Sequence, residues 1–122
     1  MMSTMRHETS RLVMTTDLNQ YGFLFGGTLL SWVDEASFIA ASLDFPECRF
    51  VTIGMDEVVF KHGVGNGSIL VIRCEKVKVG RTSVTYNVGV FCSRVQDGEA
   101  IFSTNVTFVN VDSEGVKVGI VD

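Results

Sequence analysis

The spacing of apolar residues changes period twice along the chain, and the two changes divide it into three parts. Arg11-Leu12-Val13-Met14-Thr15-Thr16 is short and partly β-branched, and turn-prone Asp17, Asn19 and Gly22 follow it, which predicts a first strand. From Gly26 the period lengthens: Leu29, Leu30, Val33, Ala36, Ala40 and Leu43 recur at helical spacing. Trp32, Phe38 and Ile39 broaden that stripe, so the predicted helix over 27–43, roughly 25 Å long, is apolar most of the way round. Pro46 forces the preceding residue out of the α region and ends it. Beyond Pro46 the period shortens to that of strands: 49–60, 68–79, 82–95 and 100–111, rich in Val, Ile, Thr and Phe. Turn signals separate them at Gly63-Val64-Gly65-Asn66-Gly67, Gly80 and Asp97-Gly98, and Asp112-Ser113-Glu114-Gly115 closes the last. One apolar helix and several long antiparallel strands bury their faces most simply when a curved sheet folds around the helix.

Composition narrows the class. A chain of 122 residues holds one core, and the single-domain expectation covers 1–122. With 46% hydrophobic and 20% charged residues it is a globular sequence, not a disordered one. A net charge of −4 offers no global field for a nucleic-acid backbone. The three cysteines, Cys48, Cys74 and Cys92, are widely spaced, lack any C-x-x-C pair and stand far from His7 and His62. They read as reduced thiols packed as small hydrophobes, with no metal site. The polar N-terminus is no secretory signal, and no run approaches the ~20 apolar residues of a membrane span. A cytoplasmic setting is the expectation.

The sharpest local signal is Asn19-Gln20-Tyr21-Gly22-Phe23-Leu24-Phe25-Gly26-Gly27. Two glycines at a helix start cost helix stability, and their benefit is access. Without a Cβ the first-turn amides can approach a carbonyl or phosphate, aided by the helix dipole. Asp34 follows on the helix between apolar neighbours, where an unpaired carboxylate is costly to bury. A carboxylate at the rim of an apolar helix suits a general base or a water-positioning group. Glu35 is placed on the solvated side.

Asn19-x-x-Gly22-x-x-x-Gly26-Gly27 with Asp34 resembles the opening signature of the hotdog-fold acyl-CoA thioesterases, in the group of YciA-type broad-specificity acyl-CoA hydrolases. Val51-Thr52 with Asp56, Val59-Phe60, Gly63-Val64-x-x-Gly67 and Val79-Gly80-Arg81-Thr82-Ser83-Val84 extend the resemblance over about 11–111. It implies an α+β hotdog fold: an antiparallel sheet of five to six strands wrapped around one long central helix. It implies homodimers with shared active sites, assembling further to tetramers or hexamers. Asp34 would be the catalytic carboxylate, and Asn19 of the facing subunit would hold substrate or water. The Gly26 and Gly27 amides would polarise the thioester carbonyl of an acyl-CoA substrate. Gly80, Arg81, Thr82 and Ser83 would lie along the bound CoA, with no metal and no cofactor beyond the CoA of the substrate.

The chain departs from that pattern at Tyr21 and Phe23, where relatives more often carry polar residues, which bears on acyl preference. Gly63 stands where many have proline, and the stretch after the last strand is shorter than in many relatives. Phe60, Lys61 and His62 join the residues considered for CoA binding, Lys61 and His62 as phosphate contacts, although Phe60, like Trp32, also reads as core. Ser31, Ser37 and Ser83 lack a nucleophile-elbow context. Two other readings stay open: a hotdog-fold hydratase or dehydratase acting on acyl thioesters, and a non-catalytic acyl-CoA-binding module. The hydratase needs an acid–base His or Glu, and His7 and His62 both lie far in sequence from the glycine loop.

Overall fold

The clearest alternation in the sequence becomes the middle of the sheet. Val84, Tyr86, Val88 and Val90 all point to the buried side of one strand and are fully excluded from solvent, while Ser83, Thr85 and Gly89 are half-buried and Asn87 is exposed on the other face. The computed structural model describes residues 6–95 and 98–120. Within them run β1 (Arg6–Leu12), α1 (Gly26–Asp44), β2 (Phe50–Phe60), β3 (Ile69–Val79), β4 (Ser83–Cys92) and β5 (Phe102–Asn110). The strands form one antiparallel sheet in the order β1-β3-β4-β5-β2. Helix α1 packs against β2, β3, β4 and β5 alike, as a sheet curved around it requires. Val33, Ala40 and Ala41 of α1 meet Tyr86, Phe102 and Phe108 of the sheet in the core.

The first strand corrects the expectation. It spans Arg6–Leu12, and Thr15–Asp17 form a 3-10 turn in place of the strand predicted over 11–16. The residues RHETSRL look unlike a strand because β1 is an outer strand, exposed along most of its length. Its backbone pairs with β3 over the whole length, and polar contacts add to that. Arg73 Nε donates to Glu8 at 2.7 Å, Arg11 Nη2 to Glu35 of α1 at 2.6 Å, and His7 Nε2 lies 3.0 Å from Asp44 Oδ1. Tyr86 O–H donates to the other oxygen of Asp44 at 2.6 Å, so this carboxylate at the helix C-terminus is fully partnered.

The helix starts and ends within one residue of its predicted limits, but its buried face is rotated. Leu43 is 66% exposed, while Trp32, Ser37 and Ala41 are buried. Ser37 tolerates this because its hydroxyl donates to the carbonyl of Val33 at 2.8 Å. The cysteines are free thiols, two buried and Cys48 half-buried. Strand β2, at the other edge, departs from regular pairing at two bulges, between Thr52 and Gly54 and between Asp56 and Val59. Glu57 in the second holds φ at 51°, a conformation that favours glycine. The Gly63–Gly67 loop joins β2 to β3, whereas the Asp97-Gly98 turn lies in part outside the described residues. After β5 the chain turns at Asp112, whose carboxylate accepts the Glu114 and Val116 amides, and runs back so that Ile120 N–H donates to Arg81.

Candidate active site

The residues before α1 form a miniature hairpin built around one side chain. Asn19 Oδ1 accepts the amides of Tyr21 and Phe23 at 2.9 and 3.1 Å, and Asn19 N–H donates to Phe23 at 2.7 Å. Gly22 makes the reversal possible with φ at 87°. The carbonyl end of Asn19 thus shapes the loop. Its Nδ2 group has no partner among the described residues and can donate to a ligand.

Phe25 precedes α1 and offers no capping oxygen, so the amides of Gly26, Gly27 and Thr28 have no hydrogen-bond partner among the described residues. They carry the positive end of the helix dipole. A cavity of about 380 Å³ opens beside this helix end, lined by Asn19, Gly26, Phe60, Lys61 and His62 with an apolar remainder. Five of the sequence-selected residues therefore converge. Phe60 is not core: it is 54% exposed, and its ring lies over Gly26. His62 also corrects the expectation, since the β2–β3 loop carries it back to the glycine-rich helix start. Lys61 Nζ sits 3.5 Å from Glu99, a solvated contact of little energetic weight.

Asp34 does not line that cavity. It lies eight residues into α1, about 12 Å along the axis, half-buried on the flank that faces β2. There Thr52 O–H donates to Asp34 Oδ1 at 2.8 Å and fixes one oxygen, leaving the other for water or substrate. Thr52 belongs to the Val51-Thr52 pair in the motif, but its hydroxyl acquires a role only once β2 is seen to pass beside the helix. Phe38, one turn further along the same flank of α1, is 41% exposed, and β2 beside it is exposed along most of its length. Glu35, one position on, points away and pairs with Arg11 as expected of a solvated residue.

Gly80, Arg81, Thr82 and Ser83 lie at the opposite end of the sheet. Ser83 pairs with Val109, next to the partner of Phe50, whereas Phe60 ends the far side of β2. The length of β2 separates them from His62 by about 30 Å. Arg81 is exposed and its carbonyl accepts Ile120 N–H, so the C-terminal segment covers part of this hairpin. One protomer thus holds three separated parts of the expected site.

A second hollow of about 290 Å³, between β1 and the opposite flank of α1, contains none of these residues. Cys74 in its floor has its thiol pushed up to about 12 by burial, which leaves it inert at neutral pH. Among the described residues no cluster of His, Cys, Asp or Glu could hold a metal ion, and no helix is long and apolar enough to cross a membrane.

One helix in a five-stranded antiparallel sheet, with a glycine-opened helix start and a flank carboxylate, defines a class, and the sequence profile of the thioesterase superfamily matches residues 21–99. The chain belongs to that superfamily. It is similar to the acyl-CoA thioester hydrolase YciA of Escherichia coli, with 32% identity over 109 residues, covering 85% of this chain and 82% of that one. It shares 33% identity over 115 residues with the uncharacterised acyl-CoA thioester hydrolase YkhA of Bacillus subtilis, covering 91% of this chain but only 64% of that relative's length. The crystal structure of Cj0915, a hexameric hotdog fold thioesterase of Campylobacter jejuni, superposes with a TM-score of 0.81 at 39% identity, covering 93% of this chain and 88% of the other. The architecture is the hotdog fold.

Proposed function

We propose that the chain is an acyl-CoA thioesterase, hydrolysing an acyl-CoA to a carboxylic acid and free CoA. The observation that carries this reading is the uncapped start of α1, whose unpartnered amides open into a cavity beside Asn19. A thioester carbonyl set against Gly26 and Gly27 would find donors aimed at the oxyanion that forms when water adds. Asp34, one oxygen held by Thr52, accepts the proton of that water, and collapse of the adduct expels CoA thiolate. The thioester is already electrophilic, so orientation, a base and an oxyanion site suffice, with no metal or cofactor.

In a single chain Asp34 and Asn19 stand apart, and the surface around Asp34 is apolar and open. A second copy packed on this flank in two-fold fashion would cover Phe38 and bring its own Asn19 loop to Asp34. Each dimer then has two shared sites, and the hexamer described for the Campylobacter relative is one way such dimers assemble further. Assembly also offers a route for the Gly80–Ser83 hairpin of another subunit to approach the CoA. Lys61 and His62, at the cavity rim, would be the side chains that meet its phosphates.

The test is thiol release from acetyl-, butyryl-, benzoyl- and long-chain acyl-CoA by the wild type and by Asp34→Ala. The variant should lose at least ~100-fold in kcat; unchanged turnover would remove Asp34 from the mechanism. The position of His62 in the cavity gives a hydratase a specific foothold. Crotonyl-CoA losing its double bond without thiol release would establish that second reading.

A further inference from the structure

Phe23 projects from the Asn19 hairpin onto the loop after β2, and its ring rests where a side chain on Gly63 would be. A Cβ built on Gly63 would stand 3.0 Å from Phe23 Cδ1 and 3.2 Å from Cγ, closer than the ring and any larger residue could share without movement. The pair is thus matched: the glycine is the seat of the phenylalanine. Across the same cavity the Phe60 ring lies over Gly26, within 3.5 Å of where a Cβ would sit. Both rings are about half exposed, at 49% and 54%, although each is already packed against backbone. With Leu24, Leu29, Val64 and Ile101 they give the cavity an apolar wall, interrupted by polar groups only at Asn19, the helix start and the Lys61–His62 rim.

We propose that Phe23, seated on Gly63, is a specificity-determining residue that limits the length of the acyl group. The inference rests on the thioesterase reading above and deepens it. A carbonyl held at the Gly26 amide directs its apolar substituent into a hollow of about 380 Å³, one side of which is the Phe23 ring. Short acyl groups fit against the ring, and longer ones must displace it. Each methylene accepted or refused by an apolar pocket changes kcat/KM by about tenfold or more. The wall is removable, because Phe23 lies on a surface hairpin whose backbone is held by Asn19 and Gly22.

The experiment compares kcat/KM for acetyl-, butyryl-, hexanoyl-, octanoyl- and decanoyl-CoA in the wild type, Phe23→Ala, Gly63→Ala and the double variant, with melting curves to verify folding. The wild type should fall off toward the long chains. Phe23→Ala should raise the octanoyl-to-butyryl ratio by about tenfold. Gly63→Ala should lower it by driving the ring inward, and the double variant should follow Phe23→Ala. A Phe23→Ala profile that shifts equally for every chain length, or not at all, overturns the proposal. A wild type that hydrolyses none of them refutes the thioesterase reading instead. The wall is then read by calorimetry with S-alkyl-CoA thioethers: Phe23→Ala must tighten the long ones relative to the short, and equal affinities would overturn it.

Discussion

Replacing Thr52 by valine removes one hydroxyl and keeps the side-chain shape, which isolates the contact to Asp34. The bond is 2.8 Å long, from a neutral donor to a carboxylate oxygen. Hydrogen bonds to charged groups contribute about 1.5–3 kcal/mol, and partial exposure of both residues places this one toward the lower end. If that energy holds the carboxylate in its productive orientation, its loss lowers kcat by about tenfold, well short of the ~100-fold or more expected when Asp34 itself is removed. KM should change little, because Thr52 touches the base and not the substrate. Thr52→Ser keeps the hydroxyl and should recover most of the rate. In the Asp34→Ala background Thr52→Val should have no further effect, since a positioning residue acts only through the group it positions. Thiol release measured over a range of acyl-CoA concentrations gives kcat and KM for the wild type and each variant. Wild-type kcat in Thr52→Val, or a Thr52→Ser variant as slow as the valine, would refute the reasoning.

Two further predictions concern the fold. Burial pushes the Cys74 thiol up to about 12, and burial together with the Asp44 carboxylate raises the Tyr86 phenol above its ordinary value. The folded chain therefore keeps protons that the unfolded chain releases from about pH 9 and pH 10, so stability falls as pH rises through this range, by up to about 1.4 kcal/mol per pH unit for each group. Urea midpoints between pH 8 and 11 should show the decline, and Cys74→Ala should delay its onset; an unchanged onset in that variant argues against the thiol. At the second β2 bulge, Glu57 with φ at 51° bears a cost of about 1–2 kcal/mol that glycine avoids. Offset by the greater freedom of glycine when unfolded, Glu57→Gly should still stabilise by about 0.5–1 kcal/mol, and a lowered melting midpoint would show that the exposed side chain contributes more than its strain.

What the sequence discloses here follows from how far each signal is local. Val84, Tyr86, Val88 and Val90 announce a central strand because their neighbours on both sides are strands, so alternation and burial coincide. Edge strands lose that coincidence. β1 hides among polar residues whose partners, Arg73, Glu35 and Asp44, are distant in sequence, and β2 exposes most of its apolar side chains. The same limit governs the site. The Asn19 loop and the glycine pair are contiguous and readable, and Asp34 stands out as a carboxylate among apolar helix neighbours. The Thr52 contact, the return of His62 to the helix start, the exposed setting of Phe60 and the seat of Phe23 on Gly63 all depend on strand order. None of them has a sequence spacing that periodicity could register.

Whether two chains share one catalytic site decides the account most directly, and one measurement addresses it. Asn19→Ala and Asp34→Ala chains, each nearly inactive alone, are co-expressed and the heterodimers counted by native mass spectrometry. In a heterodimer with shared sites one site carries both lesions and the other carries neither. Random pairing makes half the dimers mixed, so thiol release from the best acyl-CoA should return to about a quarter of the wild-type rate. Heterodimers that form in that proportion and recover no turnover would contradict a site built from Asn19 of one subunit and Asp34 of the other.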